Sequence, residues 1–290
     1  MKKCDNRLTG FHITHTRPTV ERGGVPYIHD FELLGTIMSA LQWRFHNGPI
    51  KLYTDTKGLE LYESQNMTFV WDAGIDTTLL DSIEDPINFS VFWAASKLYA
   101  LRDMDCPCVM IDTDMIVWGS LDKLIDKEGV TCIHKEAISG DIYLPKELLK
   151  IPPNYHFDPL WDWSVLPSNT ALLYFGNSNL KDYYTSCAFE FMRNNYDLPK
   201  ENISQMVFAE QRLLSICAQR SGVEVKAFLD FNRLDDQQLF THFWGEKEPI
   251  RRSKERADEL CRDLVDRLFE DFRFCAEDLR RVPVVAKYLD

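Results

Sequence analysis

The sequence predicts an α/β fold built on a mostly parallel central sheet flanked by helices. Strand-like and helix-like segments alternate through the first half of the chain, a pattern that implies right-handed crossovers between parallel strands. The run Cys108–Ile111 is apolar throughout, the mark of a strand covered on both faces. The 290 residues, 45% hydrophobic and 27% charged, are enough to bury a full core.

In chain order, 8–16 reads as a short strand running into a His-Thr-Arg-Pro loop. Segment 30–45 carries apolar residues at helical spacing (Phe31, Leu34, Ile37, Met38, Leu41) and stops at the Asn47-Gly48-Pro49 breaker. Ile50–Thr54 is a strand that ends at Asp55, 57–64 a short helix and 67–71 another strand. Segment 89–101 is a helix with its apolar side at Phe92, Ala95, Leu98 and Tyr99. The second half is less regular. Segment 145–167 is long for a connection, and its Pro, Trp and Tyr content argues against disorder. Segments 170–175 and 223–228 read as strands, and 180–194 and 203–221 as helices, the latter closed by Gly222. From 253 to about 279, Leu260, Leu264, Leu268 and Phe272 recur at steps of four and predict a C-terminal amphipathic helix. No internal repeat or low-complexity linker divides the chain, so a single domain over 1–290 is expected.

Composition excludes several roles. A formal net charge of −12 repels a phosphate backbone, so no nucleic-acid partner is expected. The densest basic cluster, Arg251, Arg252, Lys254 and Arg256, is diluted at once by Glu255, Asp258 and Glu259 and reads as a solvated helix start. No segment approaches the roughly 18 apolar residues needed to span a bilayer. The first residues turn polar immediately and lack the apolar stretch of a secretory signal. The eight cysteines show no paired framework; Cys106-Pro107-Cys108 is too tight for a zinc knuckle, and the others stand among apolar neighbours. These features predict a cytoplasmic protein, with peripheral attachment at the inner membrane face as the lesser reading.

The sharpest chemical feature is Val109-Met110-Ile111-Asp112-Thr113-Asp114-Met115-Ile116-Val117. Two aspartates one residue apart leave a buried strand, and strand ends of parallel sheets are where ligand crevices form. Carboxylates in that position are costly unless something cationic compensates, and a hard divalent ion shared with phosphates does this well.

The stretch resembles the Asp-x-Asp motif of GT-A fold glycosyltransferases, in particular the family 8 group that includes glycogenin-like and bacterial galactosyltransferase-like enzymes. Further pieces fall in that family's order over roughly residues 8–250. Tyr53-Thr54-Asp55 resembles the second-strand end that contacts the base, and Ser96-Lys97-Leu98-Tyr99 precedes the motif where a basic residue, more often arginine, is usual. Asn169-Thr170-Ala171-Leu172-Leu173 resembles the strand that lines the sugar pocket. His242-Phe243-Trp244-Gly245 resembles a late His-x-x-Gly whose histidine completes the metal site, and Lys247 stands one place early for that family's diphosphate-contacting lysine. Glu210-Gln211 resembles the acidic-Gln pair beside the anomeric carbon.

The resemblance implies a metal-dependent hexosyltransferase-like enzyme moving a sugar from a nucleotide-diphosphate donor to a glycan or glycolipid acceptor, with retention, in a distant bacterial branch. Asp112, Asp114 and His242 would hold Mn2+ (or Mg2+), the imidazole favouring manganese. Thr14, Asp55, Lys97, Asp112, Thr113 and Lys247 would bind the donor, and Asn169, Thr170, Ala171, Asp158, Trp161 and Asp162 the sugars. Glu210 and Gln211, with Asp112 and Asp114, would be catalytic. The nucleotide-binding half would run over 8–125, the acceptor half over 126–250 and a helical segment over 251–290. Two rivals remain: a haloacid-dehalogenase-type phosphotransferase, with Leu234-Asp235-Asp236 as its later acidic pair, and a sugar-nucleotide or glycan binder without turnover.

Overall fold

The computed structural model describes residues 7–195, 203–230 and 238–289. Its strands are β1 Thr9–Thr14, β2 Ile50–Thr54, β3 Ile75–Asp76, β4 Cys108–Ile111, β5 Met115–Val117, β6 Val130–Cys132, β7 Leu172–Phe175, β8 Val225–Ala227 and β9 Phe240–His242. Seven of them form one sheet in the order β3-β2-β1-β4-β7-β6-β8. Only β7 runs against its neighbours; every other pairing in that sheet is parallel. The α/β expectation with a mostly parallel sheet holds. A separate antiparallel pair joins β5 to β9.

The helices are α1 Arg17–Glu21, α2 Asp30–His46, α3 Thr56–Ser64, α4 Thr78–Asp81, α5 Ala95–Asp103, α6 Ser178–Arg193, α7 Ile203–Val207, α8 Leu213–Arg220, α9 Lys247–Arg252, α10 Lys254–Asp271, α11 Ala276–Arg280 and α12 Pro283–Lys287. Several starts follow from their caps. Asp55 accepts from Gly58 N at α3, Asn177 from Leu180 N at α6, and Ser253 from Arg256 N at α10. The apolar residues divide into two clusters, one per face of the sheet. Residues of α2, α10 and the C-terminal turns cover one face, and residues of α5, α6 and α8 the other. No described helix is long and apolar enough to cross a membrane, and the seven described cysteines are free thiols.

Three local expectations are corrected. The predicted strand at 67–71 is a single 3-10 turn, Thr68–Val70, because Met67, Val70 and Trp71 bury at i, i+3 and i+4, the spacing of a helix. The helix predicted from 89 begins only at Ala95. Asn88 takes Ser90 N and the Ser90 hydroxyl on its side chain while its carbonyl accepts Val91 and Phe92 N–H, which makes a turn there instead. The C-terminal helix stops at Asp271. Phe272 leaves helical geometry (φ −122°, ψ 51°) with its ring fully buried, and the chain folds back into α11 and α12.

β1 and α2 meet at Gly10 closely enough that a side chain would not fit: a Cβ there would lie 2.6 Å from the Trp43 indole and 3.0 Å from Ile111 Cδ1. Trp43 cannot easily yield, being fully buried with Nε1–H donated to Pro49 O at 3.2 Å. Gly10→Ala should therefore destabilise the fold by about 1–3 kcal/mol through overpacking, measured as a lower urea midpoint at unchanged slope.

A candidate active site at the carboxyl ends of β1 and β4

Strand parity decides which side chains reach the site. Phe11 of β1 pairs in register with Met110 of β4, and both belong to the same face of the sheet. Two residues further along, Ile13 and Asp112 come to the same cavity, joined by His15 and Asp114. This cavity of about 200 Å³ is also lined by Lys97 and Ser96 from α5, Trp93, Thr113 and Lys247.

The backbone turns sharply after β4. Asp112 N donates to Ala171 O at 2.8 Å, continuing the β7 ladder, and Met115 N donates back to Asp112 O at 2.9 Å. β5 then pairs with β9 so that Met115 faces His242, while Phe243 N donates to Asp114 O at 3.2 Å. A distant histidine is thereby carried to the aspartates. His242 Nε2 stands 3.6 Å from Asp114 Oδ2, and single ligand atoms of Asp112, Asp114 and His242 all lie within 4.8 Å of one another. Beneath them Trp71 Nε1–H donates to His12 Nδ1 (3.2 Å), leaving Nε2–H for Ser39 Oγ (3.0 Å), whose hydroxyl donates to Met115 O (2.5 Å). Burial lowers the His12 pKa to about 3, so this relay is neutral and structural.

Charge is dense here and almost balanced. Lys97 Nζ lies 2.6 Å from Asp112 Oδ1 and 2.7 Å from Glu210 Oε1. Burial works to deprotonate Lys97, but the two carboxylates outweigh it and hold the ammonium above its ordinary range. Burial raises the Asp112 pKa to about 6, against the opposing pull of Lys97. For Asp114 burial pushes the same way, yet His242 and the Lys247 ammonium, 2.9 Å from Oδ2, hold it below the usual carboxylate value. His242 is lowered to about 4 by burial, with Asp114 opposing. Its ring is neutral near pH 7 and carries a lone pair free to ligate.

Glu210 and Gln211 lie in a π-helical turn, Phe208–Arg212, between α7 and α8. The wider turn leaves the Glu210 carbonyl for Tyr184 OH at 2.5 Å. The Glu210 carboxylate, 1% exposed, accepts from Thr170 Oγ1 at 2.6 Å as well as from Lys97. Gln211 Oε1 accepts from Tyr143 OH at 2.5 Å, and Arg212 donates to the carbonyls of Tyr143 and Trp163. The long 145–167 segment is thus tied to the π turn.

Of the residues singled out from sequence, Asp112, Thr113, Asp114, Lys97 and Lys247 line one cavity, and His242 and Glu210 touch it through Asp114 and Lys97. The others do not line that cavity. Thr14 has the opposite parity and bonds Tyr62 OH (2.6 Å). Asp55 is buried, accepting from Thr16 N, Thr16 Oγ1 and Gly58 N. Thr170 and Ala171 are buried and brace the site, with Asn169 Oδ1 accepting from Ala171 N (3.1 Å) and its Nδ2 donating to Glu136. Trp161 packs among Phe157 and Trp163 with Nε1–H on Tyr183 OH, so its faces are not open for stacking on a sugar. Asp158 pairs with Arg220 and caps Leu160 N, and Asp162 closes a turn on Ser164. The basic cluster at 251–256 is paired throughout, with Glu32, Glu246, Glu248 and Asp258. Asp235 and Asp236 lie outside the described residues. Sequence reasoning missed Ile13, His15 and Trp93. His15 Nδ1 is buried without a partner in this cavity, and strand alternation from Phe11 was the signal that could have found it.

Fold and site together define an α/β protein with a carboxylate–imidazole cluster at its strand ends. The chain belongs to the DUF6734 family, a family of unknown function, whose model matches residues 14–272. A search of curated protein sequences finds no match. Similar solved structures include the PaToxG glycosyltransferase, at 11% identity and TM-score 0.44 over 74% of this chain and 69% of that one. They also include the apo glycosyltransferase GlyE of Streptococcus pneumoniae TIGR4, at 12% and 0.38 over 70% and 43%. Mouse xyloside xylosyltransferase 1 aligns at 8% and 0.42 over 80% and 90%. The chain thus spans less than half the length of GlyE.

Removing the shared cation should expose how much the cluster relies on it. Lys97→Met strands the buried Glu210 and half-buried Asp112 carboxylates and should lower stability by about 3 kcal/mol in chemical denaturation. Adding Glu210→Gln to that variant should recover part of the loss.

Proposed function

We propose that this chain is a metal-dependent GT-A type glycosyltransferase, moving a sugar from a nucleotide-diphosphate donor to a hydroxyl of a glycan or glycolipid. The observation that carries this reading is the convergence of Asp112, Asp114 and His242 beside a cavity at the ends of parallel strands. Two carboxylate oxygens and one neutral imidazole nitrogen suit a divalent ion, and the nitrogen favours Mn2+ over Mg2+. Bound there, the ion would supply Lewis-acid stabilisation of the leaving diphosphate.

The chain's own groups do the rest. Lys97, held by Asp112 and Glu210, keeps the Asp112 carboxylate ionised and oriented at the cavity wall. Lys247, also in the cavity wall, is the group able to meet a developing diphosphate charge. His15 and Trp93 give the nucleoside side of the cavity a polar edge and an aromatic face. Gln211, oriented by Tyr143, lies one residue from Glu210 and faces acceptor or transferred sugar in this reading. The 8–125 half then handles the donor and the 126–250 half the acceptor, with retention of configuration following from the family 8 resemblance. The phosphotransferase alternative fits less well: its nucleophile belongs on the first strand of the domain, whereas Asp112 follows β4, and its carboxylate is engaged by Lys97.

A panel of nucleotide sugars incubated with Mn2+ tests the proposal. One donor should be slowly hydrolysed, and Asp114→Asn should cut that turnover about 100-fold or more while the melting curve stays cooperative. Turnover untouched in Asp114→Asn, or cleavage of simple phosphomonoesters in place of the donors, would refute it.

A further inference from the structure

The metal reading leaves one contact unexplained. Asp114 Oδ2, the oxygen nearest His242 Nε2, is already held by the Lys247 ammonium at 2.9 Å. The backbone enforces this closeness: Phe243 N bonds Asp114 O, and Lys247 N bonds Phe243 O at 3.1 Å as α9 begins. A divalent ion bonds a carboxylate oxygen at about 2.0–2.2 Å. An ammonium on the same oxygen would then be pressed against a double positive charge, so each weakens the other's hold on it.

Nor do the described residues offer Lys247 a vacant refuge. The other carboxylate in reach, Glu32, is 3.9 Å away and already bonded to Arg251 at 2.9 Å. The cavity itself is the remaining direction, since Lys247 forms part of its wall. Charge points the same way. Asp112, Asp114 and Glu210 face Lys97 and Lys247 with His242 neutral, which leaves one net negative charge. A divalent ion alone would turn this largely buried cluster positive, whereas an ion accompanied by a diphosphate would not.

We infer that Lys247 is a resident counter-ion that competes with the metal for Asp114 and is drawn off it by an incoming diphosphate. Metal and diphosphate then bind cooperatively, through one lysine that opposes the first and attracts the second. Lys247 is in this sense a positioning residue that sets the order of assembly. The inference rests on the metal reading of Asp112, Asp114 and His242.

Calorimetric titrations with Mn2+ alone and with preformed manganese–pyrophosphate separate the possibilities. Wild type should bind manganese–pyrophosphate about tenfold more tightly than Mn2+ alone. Lys247→Met should reverse the preference, gaining about tenfold for Mn2+ alone and losing affinity for manganese–pyrophosphate, while Lys247→Arg keeps the wild-type pattern. Without metal, Lys247→Met should melt lower than wild type, because Asp114 has lost its counter-ion, and Mn2+ should raise its Tm by more. If Lys247→Met binds Mn2+ no more tightly than wild type while Asp114→Asn abolishes binding in both backgrounds, the competition is wrong and the metal site stands. If neither protein binds Mn2+, or binding survives Asp114→Asn, the metal reading falls and takes the inference with it.

Discussion

Two aspartates leaving the end of an apolar strand are the constraint around which this molecule is arranged. β4 is buried on both faces, so Asp112 and Asp114 emerge where unpaired charge is costly. The fold answers with two cations from separate elements: Lys97 from α5 on Asp112, and Lys247 from the start of α9 on Asp114. Each answer reaches further into the structure. Lys97 also satisfies Glu210, which fixes the π turn through Thr170 and Tyr184. The Lys247 side depends on β9, a three-residue strand whose main achievement is to bring His242 and α9 to β5.

This arrangement ties stability to ligand chemistry. A cluster neutralised by ammonium groups stands without a ligand and still leaves carboxylate oxygens that a harder cation could claim. A hydrophobic replacement would be as stable or more so. In the proposed function, the three acids and two lysines gathered at and behind this cavity prepare it for a charged ligand.

Much of this was legible in the residues. The apolar run of β4, the Asp-x-Asp that ends it and the alternating segments on either side state the sheet and its cavity-bearing edge in local terms. His242 could be read only through resemblance, since nothing near it in sequence reports that β9 pairs with β5. Where the structure differs from the reading, the causes are physical. At 67–71 an apolar stretch too short to show its period was read as a strand, though Met67, Val70 and Trp71 follow helical spacing. At β1 the end of the strand was identified but not its parity, so Thr14 was named, whereas Ile13 and His15 line the cavity. Trp161 looked like a stacking platform because exposure is invisible in sequence, and in the fold it is buried against Phe157 and Trp163. Strands of two or three residues, such as β3, β6 and β9, carry too little pattern to be found without their partners.

The central claim is that a divalent cation belongs between Asp112, Asp114 and His242. Anomalous diffraction from crystals grown with Mn2+ and pyrophosphate addresses it directly. The account predicts a manganese peak within bonding distance of all three side chains, with the Lys247 ammonium moved off Asp114 towards the diphosphate. A peak elsewhere, or density with Lys247 still on Asp114 and no ion beside it, would contradict the account.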